Sequence, residues 1–312
     1  MNNRHQAWNN WQKQNQGRIN NFHNNQEQRW NHLESARGDR QNWRDQNRED
    51  WQKHREELWD YRAGRACEIW DNERDYCDNI FDDHWWGACG WGPGWVENYP
   101  VDPWWWWASA SYPAVATFVE GVSSEPVYID YGMNVDYEGS TVYVDDQPIP
   151  TAQYSQPLTS AAAKTPQPPP PTPPAPGQQA EWMPLGVFAL AQEEKGDPTM
   201  FFQLSVNREG VISGAYNNTL SGDQHPVTGK LDKASQRVAW RIGDKTQTIY
   251  ETSLANLTLD VSPVTVHLGD SRTQTWLLVR MPEPAQANAA AKLPEISQKP
   301  PPLAKATTKP AK

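Results

Sequence analysis

The strongest constraint on this chain lies in residues 181–281, where apolar and polar side chains alternate in short runs punctuated by Gly, Asn and Asp. A period of two sends successive side chains to opposite faces, so such runs read as strands with one buried face. They are Leu185–Ala191, Met200–Val206, Val211–Asn217, Val227–Leu231, Arg237–Ile242, Ile249–Asn256, Val264–Leu268 and Trp276–Met281. Turns fall at Asn207–Gly210, Asp232–Ser235, Gly243–Lys245 and Gly269–Asp270. About eight sequential strands with short connections predict a C-terminal all-β up-and-down barrel, because closure pairs the two edges an open meander would leave exposed. A barrel of that size encloses either packed side chains or one small ligand.

The flanks differ in kind. Residues 165–180 form a proline-rich linker, with the run TPQPPPPTPPAPG over Thr165–Gly177. Polyproline II rises about 3.1 Å per residue, so this run is expected to hold the barrel roughly 40 Å from what precedes it. A role as a polyproline ligand is the lesser alternative. Residues 282–312 are an Ala/Pro/Lys tail with no periodicity, expected to be disordered.

Residues 1–83 are rich in Asn, Gln, Arg, Asp and Glu, with large apolar residues surfacing at intervals. Trp8, Ile19 and Trp30 step by eleven, as do Trp11, Phe22 and Leu33. That spacing is three turns of a slightly underwound helix. A second stripe runs through Trp43, Trp51, Leu58, Tyr61, Ile69, Tyr76 and Ile80. The reading is a polar, coiled-coil-like helical stalk. So thin a stripe cannot hold a lone helix, so self-association through residues 1–83 is expected. A loosely helical polar segment is the alternative.

Residues 84–164 combine a tryptophan-rich knot, a small sheet and a helix. The chain has 18 tryptophans, more than its 6 phenylalanines and 5 methionines together, and many gather here. Trp85, Trp86, Trp104, Trp105, Trp106 and Trp107 are candidates for a surface aromatic patch that would take carbohydrate or an envelope partner, since indole offers an apolar face and one donor. The alternative is a compact loop whose indoles make a small core; exposing that many would invite aggregation. Val127–Tyr131, Asn134–Tyr137 and Thr141–Val144 then alternate with period two, predicting a three-stranded meander. Thr151–Lys164 is expected to be one short helix.

Composition narrows the function. A net charge of −10 argues against a nucleic-acid binder, which needs a basic surface. No apolar stretch is long enough for a transmembrane helix. Met1–Gln6 lacks the apolar region of an export leader, although the eleven-residue repeat is already in register there, which leaves room for a signal upstream. Cys67, Cys77 and Cys89 define no disulfide framework. Asp244, Glu251, Asp260, His225 and His267 lie in the barrel without a nucleophile elbow, a phosphate loop or paired metal ligands, so neither an enzyme, a cofactor nor a metal is expected.

Tyr128–Gln147, YIDYGMNVDYEGSTVYVDDQ, resembles a family of cell-surface proteins of planctomycete bacteria labelled protocadherin-like. The likeness runs along most of the chain: an Asn/Arg/Trp-rich helical stretch, a Trp-rich patch, this meander, a proline linker and a domain ending Trp276-Leu-Leu-Val-Arg280. It implies an extracytoplasmic or cell-surface location. The barrel itself is similar in places to avidin and streptavidin, at Gly214–Tyr216, Val227–Asp232, Val238–Trp240 and Thr275–Leu278. That resemblance implies Tyr216 and Asn218 facing a ligand's polar head, with Trp240 and Trp276 as walls; otherwise Tyr216, Trp240, Trp276 and His267 are barrel core and rim. The expected function is a non-enzymatic structural or adhesion protein with a β-barrel interaction module. A small-ligand carrier of avidin-like or lipocalin-like form is the second expectation.

Overall fold

A computed structural model describes residues 59–70 and 105–281, apart from 106, 109, 132–133, 146, 170, 172–176, 193–196 and 270–271. All but residues 59–70 of the stalk expected over 1–83, and most of the tryptophan knot, therefore lie outside the described residues.

Eight antiparallel strands close into a barrel in which every strand pairs with its sequence neighbours and the last with the first. In chain order, after the three meander strands given below, these are β4 (Trp182–Ala191), β5 (Met200–Asn207), β6 (Val211–Asn218), β7 (Asp223–Asp232), β8 (Arg237–Ile242), β9 (Thr248–Ser253), β10 (Val261–Leu268) and β11 (Arg272–Arg280). Each expected strand is present, most of them longer than the apolar run alone, because ladder pairing continues past the last buried residue. Closure comes from Leu277–Arg280 pairing with Phe188–Ala191. The inward set fills the barrel with Phe188, Leu190, Phe202, Leu204, Val227, Trp240, Val264 and Leu278, most of them with no exposed surface. Gly229 lies directly across from Trp240, and a Cβ there would collide with the Trp240 backbone, so glycine makes room at that level.

One end of the barrel is shut. The short helix α2 (Tyr112–Phe118) and the 3₁₀ turn Asn256–Thr258 lie against it, burying Tyr112, Val115, Phe118, Leu254 and Leu257 with the barrel core. Arg280 crosses this end, donating to the carbonyls of Leu185 and Leu257 at 2.7 Å each. It passes through a bulge in β4 at Gly186, whose φ of +127° and missing Cβ leave space for the guanidinium.

The barrel's outer face is also covered. Residues 59–70 form helix α1, which lays Trp59, Ala66, Ile69 and Trp70 with Trp107 on Val187, Ala189, Phe201, Val261, Leu277 and Val279. The Trp70 indole donates to the Arg280 carbonyl at 2.7 Å. These residues are helical, and the expected stripe is only part of the buried face: Ile69 is buried and Tyr61 half-exposed, while Trp59, Arg62, Ala66 and Trp70 are buried as well. A sheet is a flatter partner than a second helix and accepts a wider face.

The small sheet differs from expectation by one strand. Its members are β1 (Val135–Glu138), β2 (Thr141–Val144) and β3 (Gln147–Pro150). Residues 127–131, expected as the first strand, are instead extended chain pinned to the barrel by two buried amides. Gln236 Oε1 accepts from Val127 N at 2.9 Å and its Nε2 donates to the Glu125 carbonyl at 2.7 Å; Asn256 bonds both the N–H and the carbonyl of Ile129. These side chains supply the ladder bonds a neighbouring strand would. Strand β3 carries Pro148 and Pro150, which only an edge strand tolerates. The expected single helix is two, α3 (Thr151–Tyr154) and α4 (Gln156–Lys164), parted at Ser155, with Pro157 in the first turn of α4. Helix α4 packs Leu158 and Ala162 on Ala239 and Ile249. The expected separation of about 40 Å across the proline run is therefore not met: everything described between 107 and 165 touches the barrel or an element resting on it, and Arg241 bonds the carbonyl of Thr165 at the head of that run. Among the described residues no helix is long and apolar enough to cross a membrane.

Candidate functional site

Two places gather chemistry-bearing side chains. The first is the barrel end opposite α2. Tyr216 and Asn218 stand near the end of β6, and Trp276 enters from β11, half-buried against the interior cluster. Asn218 is committed to its turn: its Oδ1 accepts from Leu220 N at 3.0 Å and Ser221 N at 3.3 Å. Burial pushes the Tyr216 phenol up, and a hydrogen bond with Asn218 holds it back. The Trp276 indole donates to Gln274 Oε1 at 3.2 Å. Trp240 lies deeper, with no exposed surface. It stacks on Tyr250 with centroids 5.8 Å apart, and Phe202 stands edge-on to both. The barrel is thus filled at the level of Trp240; Tyr216 is joined to Asn218 by a hydrogen bond, and Trp276 packs on the same core cluster from β11.

Of the expected aromatic patch, Trp107 is buried and Trp105 partly buried, both in the layer between α1 and the barrel. Trp85, Trp86, Trp104 and Trp106 lie outside the described residues. In the two that are described, indole serves as packing.

The second place was not foreseen as a site. Glu251, Arg237 and His267 occupy outward positions on three consecutive strands, β9, β8 and β10, beneath the small sheet. Ala239 and Thr265 are the direct neighbours of Glu251, so Arg237 and His267 reach it diagonally. Arg237 donates to Glu251 Oε1 from Nη2 at 2.6 Å and from Nε at 3.1 Å, and His267 Nε2 is 2.8 Å from Oε2. From the covering layer the Tyr131 hydroxyl donates at 3.2 Å and the Tyr137 hydroxyl at 3.3 Å. Arg237 also donates to the Tyr154 carbonyl at 2.7 Å and lies 3.6 Å over the Tyr154 ring. Beside this cluster, Arg62 of α1 bonds Asp130 at 2.6 Å.

Burial pushes the Glu251 carboxyl up, but the Arg237 charge and the His267 hydrogen bond outweigh it and hold the group at about 2. Burial lifts Tyr131 and Tyr137 well above the usual phenol range, and pushes Tyr154 up to about 12. The cluster holds an ion pair whose lone pairs and protons are satisfied, the condition under which a buried charge persists. A depressed carboxyl contributes stability above its ordinary value of 4.5, lost as pH falls toward about 2. At 1.36 kcal/mol per unit the loss is about 3 kcal/mol. Urea unfolding at pH 5 and pH 2.5 is expected to show it, and Glu251→Gln is expected to flatten that difference; an equally steep variant would disprove the assignment.

Parity along the strands was enough to put Arg237, Glu251 and His267 on one face. Nothing in sequence spacing announces Tyr131, Tyr137 or Tyr154 above them, since these come from another layer more than eighty residues away. Compared with known protein families, with curated proteins and with solved structures, the chain matches none.

Proposed function

We propose that this chain is a non-enzymatic protein of the cell surface or another extracytoplasmic compartment, in which the barrel is an interaction module. One observation carries the reading. The titratable groups gathered on the barrel are consumed by the clamp that holds the collar: Glu251 has no exposed surface and meets only Arg237, His267, Tyr131 and Tyr137. A general acid or base must reach a substrate, and this carboxylate reaches none. Among the described residues one end of the barrel and much of its outside are covered, which leaves the turns 219–222 and 243–247 at the other end to meet a partner, such as an envelope protein or carbohydrate. The location rests on the resemblance of Tyr128–Gln147 to planctomycete surface proteins. Protease shaving of intact cells expressing the full chain tests it. Barrel peptides are expected in the supernatant before lysis; their appearance only after lysis would refute the location.

A second reading, a small-ligand carrier, is favoured by the hydrogen bond between Tyr216 and Asn218 and by the half-buried Trp276, all on strand ends opposite α2.

A further inference from the structure

The outer wall of β5, β6 and β7 is buried where neither α1 nor α4 accounts for it. Ser205, Ser213, Ala215 and Thr228 have the parity opposite to the interior Leu204, Ile212, Tyr216 and Val227, so they point outward, yet all four are buried. The apolar layer under α1 takes only Phe201 from β5 and nothing from β6 or β7. Helix α4 rests on β7, β8 and β9 and packs its apolar side chains on Ala239 and Ile249. Ala215 is 1% exposed and belongs to none of the described apolar clusters. Beside it on the same wall, between Ala215 and Val187, Gln203 has no exposed surface, and neither atom of its amide has a partner.

The proline run is fastened at both sides of this wall. At its head the Thr165 carbonyl accepts from Arg241 on β8 at 3.1 Å, and past its end the Ala180 carbonyl accepts from Arg208, in the turn between β5 and β6, at 3.3 Å. The strands between those two anchors are β7 and β6. The opposite way round is taken, by the small sheet over Glu251 and His267 and by α1 over β10, β11 and β4. Arg241, Thr228, Ser213 and Ser205 are cross-strand partners in one row, three strand intervals of about 4.8 Å each. Pro171, six residues on from Thr165, is buried. At about 3.1 Å per residue those six reach about 19 Å, enough for a slanted crossing of the row. A polyproline helix has no internal hydrogen bonds, so it needs a surface of small side chains that lets it lie close and donors for its bare carbonyls. The wall supplies the first in Ser205, Ser213 and Ala215, and the second in the Gln203 amide. We infer that the outer wall of β5–β7 is a seat for a polyproline helix and that its occupant is the chain's own run from Pro166 to Pro171. The run is then bound to the barrel as a ligand held in cis, and a proline-rich partner could be recognised only by displacing it.

The test uses the full chain with Cys67, Cys77 and Cys89 replaced by serine and a single reporter, Ser213→Cys, in the middle of the wall. Its reaction with an aromatic disulfide reagent is timed with the run intact and with Pro166, Pro168, Pro169 and Pro171 all changed to serine, which keeps the chain length and removes the rings. The thiol is expected to react slowly in the first and roughly tenfold or more faster in the second, with the near-ultraviolet dichroism of the folded protein kept in both. The synthetic peptide TPQPPPPTPPAPG at about 1 mM, the effective concentration of a short tether, is expected to slow the second reaction again. A thiol that reacts fast with the run intact would mean an open wall. One that stays slow after the four changes would mean that another segment, such as the tryptophan-rich residues 71–104, covers it. A failure of the peptide to slow the reaction would mean that the wall does not select polyproline. Each of these overturns the proposal, and Thr228→Cys, one strand over in the same row, repeats the measurement if Ser213→Cys does not fold.

Discussion

Alanine in place of Glu251 is expected to cost about 3–5 kcal/mol of folding stability, the range seen when one member of a buried ion pair is removed and its partner stays behind. The carboxylate has no exposed surface, and Arg237 and His267, both about nine-tenths buried or more, would be left facing a void. Arg237 would keep its bond to the Tyr154 carbonyl but lose both bonds to the group that neutralises it. The tyrosines give an internal comparison. Tyr131→Phe and Tyr137→Phe each remove one donor and leave the ion pair intact, so each is expected to cost about 1–2 kcal/mol. Urea unfolding of the full chain measures all three. A Glu251→Ala loss no greater than that of the two phenylalanine variants would mean that the charge is dispensable and that the collar is held by apolar packing alone.

What was legible in the sequence follows from the range of each signal. The barrel strands were readable because alternation is local: Arg237–Ile242 and Val211–Asn217 declare their pairing face residue by residue, and each connecting turn carries its own Gly, Asn or Asp. The third meander strand was missed because Gln147–Pro150 contains two prolines, a pattern that argues against a strand unless it lies at an edge. Residues 127–131 alternate like a strand, yet their partners are the side chains of Gln236 and Asn256, and no periodicity encodes a side-chain partner. The site behaved the same way. Alternation put Arg237, Glu251 and His267 on one outer face, whereas Tyr131, Tyr137 and Tyr154 come from another layer that no local pattern announces. The largest difference concerns the proline run. Composition gives the stiffness of Thr165–Gly177 but not its direction, and the residues before it lie on the barrel.

That difference sets the second large expectation: residues 181–281 alone will not show a cooperative unfolding transition, although they contain all eight strands. Cutting the chain there strips Trp59, Ile69, Trp70 and Trp107 from the outer face and Tyr112, Val115 and Phe118 from the shut end, all buried in the whole protein. Each large apolar side chain contributes about 1.5–3 kcal/mol by burial. Even halved for residual burial in the unfolded chain, the removal of seven such side chains matches the roughly 5–15 kcal/mol that holds a domain of this kind together. The fragment would also bare the apolar strip Val187, Ala189, Phe201, Leu277 and Val279 to water and leave Glu251 and Arg237 without the tyrosines above them. Residues 59–281 are expected to melt in one transition with near-ultraviolet dichroism from ordered tryptophans, and 181–281 to aggregate or to lack that signal. Adding residues 59–165 in trans is expected to restore part of it, since collar and barrel meet face to face through side chains. If 181–281 alone melted cooperatively within a few degrees of the longer piece, the barrel would be the folding unit and the collar a passenger. The expected outcome makes the collar part of the core, so that any partner or ligand taken at the open end acts on a structure already fixed by α1, α2 and the small sheet.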